Sequence, residues 1–193
     1  MRVGVLAVQG AVSEHINMLE KCGVEGVSVK RQDDLSNLDA LIIPGGESTT
    51  IGRLVRNFGL DKDIIKMAEE GTPIYGTCAG MILLAGEIEG ENPHLGLMNL
   101  RVVRNAFGRQ KDSFEADLNV PDLGDEPFTA VFIRAPYVSW TGPEVEVLCR
   151  FQDNVVAARQ GNLLVTSFHP ELTQDERFHR YLIAMAEKPG EME

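Results

Sequence analysis

A cysteine sits between two glycines in Gly76-Thr77-Cys78-Ala79-Gly80, a G-x-C-x-G pattern. This is the form of a nucleophile elbow with sulfur in place of oxygen. A strand that turns at once into a helix pinches the backbone, and only residues without a bulky side chain fit beside the turn. The flanking runs match that geometry. Pro73-Ile74-Tyr75 reads as a buried strand ending, and Ala79-Gly80-Met81-Ile82-Leu83-Leu84-Ala85 is made mostly of good helix formers. The sulfur then projects above the sheet near the positive end of the following helix, which lowers a thiol pKa. The Ala79 N–H points to where a tetrahedral oxyanion forms. The same pentapeptide also fits a buried structural cysteine between two packing glycines.

A nucleophilic cysteine needs a base, and the base needs an orienter. The histidines are His15, His94, His169 and His179. His169 follows an apolar strand in Phe168-His169-Pro170-Glu171. Pro170 biases His169 towards extended backbone, and residues two apart on an extended segment project to the same side. Glu171 can therefore fix the His169 tautomer while the other ring nitrogen faces Cys78. His15 and His179 fall on predicted helices and read as surface residues, and His94 lies in a predicted turn. Cys22 reads as a helix core residue and Cys149 as a strand residue. The glycine loop Gly45-Gly46-Glu47-Ser48 lacks the lysine of a P-loop and the spacing of a dinucleotide fingerprint. It reads better as a loop whose Gly46 N–H supplies a second oxyanion donor. Arg104 and Arg134 stand at predicted strand ends, where they could meet a substrate carboxylate.

The elements that must position these residues alternate through the first half. Strands are predicted over Val3–Val8, Gly26–Lys30, Leu38–Ile43 and Pro73–Tyr75. Helices are predicted over Ser13–Cys22 with Ser13 as N-cap, Thr49–Asn57, Asp61–Glu70 and Ala79–Ala85. Continuous apolar runs and β-α alternation imply a doubly wound, mostly parallel sheet flanked by helices, a flavodoxin-like α/β fold. Ligands in such sheets bind outside the carboxyl ends of the strands, where the loops after Val8, Ile43 and Tyr75 converge. The second half reads as an added antiparallel β part. Its strands are Met98–Arg104, Ser113–Leu118, Thr129–Arg134, Val145–Arg150, Asn154–Gln160 and Leu163–Phe168, closed by a helix over Asp175–Glu187. One domain over residues 1–187 is expected, with a mobile polar tail over 188–193.

Composition narrows the class. The 193 residues carry a net charge of −11, which argues against a nucleic-acid partner, since phosphate binding needs a basic patch. Three widely spaced cysteines give neither a disulfide framework nor a zinc spacing, so no metal is expected and a reducing, cytoplasmic setting fits. The first apolar run reaches Gln9-Gly10 too soon for a signal peptide or a membrane span.

Taken together, Gly76–Gly80 and His169-Pro170-Glu171 resemble the class I, triad-type glutamine amidotransferases. More narrowly, several stretches resemble the glutaminase subunits of pyridoxal 5′-phosphate synthases: Leu6–Val12, Pro44–Thr50, Asn92–Leu97, Arg104–Gln110, Asp112–Glu115 and Ser167–Thr173. The likeness covers nearly the whole chain, and only the stretch after about Lys188 has no counterpart. It implies hydrolysis of L-glutamine to glutamate, with the ammonia passed to a barrel-shaped synthase in a hetero-oligomer, without a cofactor or metal. It further implies Cys78 as nucleophile, His169 as acid/base and Glu171 as its orienter. Gly46, Glu47, Ser48, Arg104, Ile133 and Arg134 are implied as glutamine-binding, and Gln9 as helping to set the oxyanion hole when the partner docks.

Two readings stay open beside this one. Another cysteine hydrolase or peptidase on the same fold would not need two arginines to clamp a free α-carboxylate. A non-catalytic regulatory domain has no physical reason to keep Cys78, His169 and Glu171 together.

Overall fold

A computed structural model describes residues 1–104 and 113–187. The predicted tail over 188–193, and the Asn105–Gln110 and Asp112 parts of the motifs above, lie outside the described residues.

Five strands form the parallel half of the main sheet: β1 (Arg2–Leu6), β2 (Glu25–Val29), β3 (Ala40–Ile43), β4 (Ile74–Thr77) and β12 (Leu163–Thr166). They lie in the order β2-β1-β3-β4-β12. Every residue of β3, β4 and β12 is buried, as parallel strands covered on both faces require. Successive residues serve opposite layers. Val3, Val5, Ala40, Ile42, Tyr75 and Leu164 face one core, while Leu6, Leu41, Ile43, Ile74 and Val165 face the other. The first layer is closed by α1 (Val12–Lys21) and α5 (Arg177–Glu187), the second by α2 (Ser48–Asn57), α3 (Leu60–Glu69) and α4 (Ala79–Leu84). Among the described residues no helix is long and apolar enough to cross a membrane.

The antiparallel part continues the same sheet. Beyond β12 follow β11 (Asn154–Gln160), β9 (Tyr137–Thr141) and β6 (Met98–Val103), with β5 (Ala85–Ile88) pairing β6 in parallel at the edge, and β10 (Glu146–Phe151) also pairs β11. A separate hairpin joins β7 (Ser113–Leu118) to β8 (Phe128–Ile133). Its inward residues alternate with outward ones along β8. They build an aromatic cluster with Phe114 stacked on Phe132 at 4.7 Å and Phe128 edge-on to Phe178 at 4.9 Å.

Three expectations need correction. Helix α4 stops at Leu84, and Ala85 opens β5, a strand the sequence reading lacks. No turn residue separates the two elements, so only the pairing of Ala85–Ile88 with β6 reveals the change. Strand β9 is also absent from the reading. It fits between Pro136 and the Gly142-Pro143 turn, and β6 and β11 hold it in place. Helix α1 begins at Val12, and Ser13 is not its cap: the Ser13 hydroxyl donates to Glu14 instead. The helix start is set by contact, with Ala11 N–H donating to the Gly45 carbonyl at 3.2 Å. Gly10, at φ +116°, allows that approach, because a Cβ there would stand 2.1 Å from the Gly45 oxygen.

Candidate active site

Cys78 lies between the last residue of β4 and the first of α4, with φ +48° and ψ −101°. A non-glycine residue at positive φ is strained, and the surroundings hold it there. Its N–H donates to the Thr166 carbonyl at 2.8 Å, which continues the β4–β12 ladder past the strand end. Gly76 and Gly80 permit the pinch. A Cβ on Gly76 would stand 2.5 Å from the Gly80 carbonyl carbon, and one on Gly80 would stand 2.0 Å from the Ile43 oxygen. The strand-turn-helix expected of an elbow is therefore present.

His169 arrives from the end of β12. Its N–H donates to the Val131 carbonyl of β8 at 2.8 Å, so the hairpin fixes its backbone. Its Nδ1 lies 2.7 Å from Glu171 Oε1. The expected pairing is made, though by a different route: Glu171 sits in a 3-10 turn over Pro170–Leu172, not on an extended segment. Burial pushes the His169 imidazole down, but hydrogen bonds to Cys78 and Glu171, and their charges, outweigh it and lift its pKa to about 10. Burial likewise works against the Glu171 carboxylate. His15 and His169 together prevail and hold its pKa below the usual range. The Cys78 sulfur also lies 3.8 Å from the Ile133 carbonyl. Gly45 closes the group from above, since a Cβ there would stand 2.3 Å from His169 Cε1.

The other predicted site residues rim this centre. The Gly45 carbonyl is held by Ala11 N–H, so the Gly46 N–H, across the same planar peptide, faces away from the Gly10–Ala11 loop. Gln9 Oε1 accepts from Glu47 N–H at 2.8 Å, so Gln9 already engages the glycine loop without a partner. Glu47 caps α2, accepting from Thr49 N–H at 3.1 Å and Thr50 N–H at 2.6 Å. Bonds to Thr50 lead the causes that lower its pKa to about 2. Ser48 is buried, with its hydroxyl unpartnered among the described residues. Arg104 donates to both Glu91 oxygens, at 3.0 and 3.1 Å, and lies 3.5 Å from Glu47. Ile133 and Arg134 are exposed, with Arg134 at φ +45°.

The reading of two histidines is overturned. His15 and His179 are both fully buried. His15 Nδ1 lies 2.9 Å from His179 Nε2, and His15 Nε2 lies 3.3 Å from Thr77 Oγ1 and 3.4 Å from Glu171 Oε2. The stripe of α1 that packs fully inward is His15, Met18 and Leu19. In α5 the inward stripe is Phe178, His179, Leu182 and Met185. A histidine within an apolar i, i+3, i+4 stripe was the available signal. Cys22 is half-buried at the end of α1, where burial, followed by Glu176, pushes its thiol up; Cys149 is buried and pushed up to about 11. His94, in a bend, packs on Gly52 with its Nδ1 3.3 Å from the Arg56 guanidinium.

The chain is similar to known proteins over nearly its whole length. The model of the SNO glutamine amidotransferase family matches residues 5–188. The chain is 58% identical over 186 residues to the pyridoxal 5′-phosphate synthase subunit PdxT of Moorella thermoacetica, covering 96% of this chain and 99% of that one. It is 56% identical to the subunit of the same name from Pelotomaculum thermopropionicum, covering 99% and 98%. A crystal structure described as a glutamine amidotransferase superposes with a TM-score of 0.92 at 51% identity, over 96% of this chain and 99% of that chain. A chain of PurLQS from Thermotoga maritima superposes at 0.71 with 18% identity, over 95% and 97%, a likeness of fold.

Proposed function

The chain belongs to the SNO glutamine amidotransferase family, and we propose that it hydrolyses L-glutamine with Cys78, His169 and Glu171 and passes the ammonia to a pyridoxal 5′-phosphate synthase subunit. The observation that carries this reading is the strained Cys78 beside a buried His169–Glu171 pair 2.7 Å apart. The relatives named as synthase subunits support the partner. Residues 1–187 serve as one amidotransferase domain. Three free cysteines suit a reducing cytoplasm.

The chemistry proceeds in two halves. An imidazolium at His169 stabilises a negative sulfur on Cys78, which attacks the side-chain carbonyl carbon of glutamine. The N–H groups of Ala79 and Gly46 receive the developing oxyanion. His169 then gives its proton to the departing nitrogen, ammonia leaves, and a thioester remains on Cys78. Water, deprotonated by His169, attacks the thioester, and the proton returns as sulfur leaves and glutamate is released. Glu171 holds the Nδ1–H tautomer throughout. Arg104 and Arg134 take the α-carboxylate, with Glu47, Ser48 and Ile133 shaping the rest of the glutamine site. No cofactor is needed for any step.

The test is glutaminase activity measured with and without a synthase subunit, together with mass mapping of an electrophilic glutamine analogue. One adduct at Cys78 is expected. A label found mainly on Cys22 or Cys149 overturns the assignment.

A further inference from the structure

Glu171 has two oxygens, and the reaction above uses one. Oε1 accepts from His169, while Oε2 is buried without a well-aligned donor among the described residues. A desolvated carboxylate oxygen is costly unless something faces it. What faces it is the His15 ring, with Nε2 at 3.4 Å. His15 comes from α1, and its other nitrogen meets His179 of α5. A line of side chains therefore runs from α5 through α1 to the 3-10 turn and on to the nucleophile.

The tautomers along this line are decided by elimination. If His15 carried its proton on Nδ1, it would donate to His179 Nε2. The His179 proton would then sit on Nδ1, which is buried without a partner. The bare Nε2 lone pair of His15 would also face the Glu171 carboxylate. A buried orphan N–H and a lone pair against a carboxylate are both unfavourable. With the proton on His15 Nε2, the order reverses. His179 Nε2–H donates to His15 Nδ1, His15 Nε2–H faces Glu171 Oε2 and Thr77 Oγ1, and only an acceptor, His179 Nδ1, goes unused. The charged or titratable groups around His15 are Glu171 from the turn, His169 beyond it, His179 from α5, and Glu14 on its own helix. Burial outweighs Glu171 and keeps His15 neutral, and burial does the same to His179.

We propose that His15 is a positioning residue for the glutaminase reaction: as the Nε2–H tautomer, held by His179, it shares its proton between Glu171 Oε2 and Thr77 Oγ1 and so ties the orienting carboxylate to the strand end that carries Cys78. Thr77 also accepts from Gly45 N–H at 3.1 Å, so the same ring braces the glycine loop. This inference rests on the triad reading.

The experiment compares His15→Phe with His15→Gln, whose side-chain amide can donate from nearly the same place. His15→Phe is expected to lower kcat roughly ten- to a hundredfold, the scale of a lost bond to a buried charge, with KM little changed. The acid limb of kcat/KM should move to higher pH, because an unfaced carboxylate protonates more readily. His15→Gln should recover most of both. A mere packing role predicts neither the moved limb nor the recovery. Nitrogen NMR of histidine-labelled wild type, which needs no variant to fold, should show His15 neutral with its proton on Nε2 at pH 7. His15→Phe with wild-type kcat and acid limb, His15→Gln no better than His15→Phe, or a His15 that is cationic or protonated on Nδ1 each overturns the proposal. Glu171→Gln is assayed in parallel. If it stays active, the triad reading fails; if it is inactive while His15→Phe is normal, only the role of His15 fails.

Discussion

Below the Cys78 sulfur the polar groups are dry, and above it they are wet. The lower set, His169, Glu171, His15 and His179, is buried. Its members hold one another in a line from α5 through α1 to the 3-10 turn. The upper set, Gln9, Glu47, Arg104 and Arg134, lies at the surface or half-exposed; Gln9 bonds the Glu47 N–H, Glu47 caps a helix and Arg104 pairs with Glu91. The difference suits the roles proposed for the two sets. Proton transfer needs fixed tautomers and a low dielectric, which burial provides. Substrate entry needs groups that can exchange a protein partner for a ligand, which only the rim allows. Arg104 shows this: its carboxylate partner is now Glu91, and a glutamine α-carboxylate would have to compete for the same fork.

Substitutions below the sulfur should therefore act on kcat and those above it on KM or on activation. The largest effect is expected at the centre. Cys78→Ala should abolish hydrolysis, and His169→Asn should cost roughly 10⁵–10⁶ in kcat, while Glu171→Gln costs roughly 10⁴, since an orienter contributes less than the proton carrier. Steady-state kinetics decide it, and a His169→Asn enzyme with most of its activity would show that another base operates.

Next comes the junction of the two sets at the glycine loop. A docked synthase is expected to shift Gln9 from Glu47 N–H and fix the Gly45–Gly46 peptide with its N–H on the oxyanion. One such donor is worth about 10²–10³ in rate. Wild type should be activated on that scale by saturating synthase, and Gln9→Ala much less at similar partner affinity. Equal activation of both proteins breaks this link between rim and centre.

On the rim, Arg104→Ala should raise KM roughly ten- to a hundredfold with kcat nearly kept, the worth of one charge-assisted hydrogen bond. An unchanged KM removes Arg104 from the glutamine site.

The smallest effect is on stability, and it belongs to the dry set alone. His15 and His179 have pKa values lowered by burial, so the unfolded chain binds their protons more readily. Their contribution is complete above the unfolded pKa near 6.5 and is lost as pH falls below it, at up to about 1.4 kcal/mol per pH unit for each ring. His169, lifted to about 10, acts in the other window: its contribution is complete below 6.5 and fades as pH rises towards 10. Denaturant melts of wild type and His179→Phe between pH 5 and 6.5 should differ in slope by about one proton. Parallel slopes would mean that His179 is not buried neutral.

Much of the centre is legible in the chain because its causes are local. The pinch at Gly76–Gly80 is a steric property of five residues, and His169 and Glu171 are two apart. Buried parallel strands announce themselves as unbroken apolar runs such as Leu41-Ile42-Ile43. The start of α1 escapes such a reading, since Gly10 packing on Gly45 sets it and not a side-chain cap. Strand β5 escapes too, because pairing with β6 and not composition ends α4.

What tertiary structure alone decided is which buried polar residues meet. His15 and His179 are 164 positions apart, and neither helix carries a local mark of the other. An apolar stripe can mark a histidine as inward-facing, but not what that histidine meets. Its meaning depends on which helix crosses it, and that is settled when α1 and α5 pack on one face of the sheet. Arg104 and Glu91 are alike in this respect: their charges are evident in the sequence, but their pairing exists only once the strand end and the loop before β6 meet. Local sterics act over a few residues and can be read from them, whereas the pairing of distant polar groups is a property of the assembled layers.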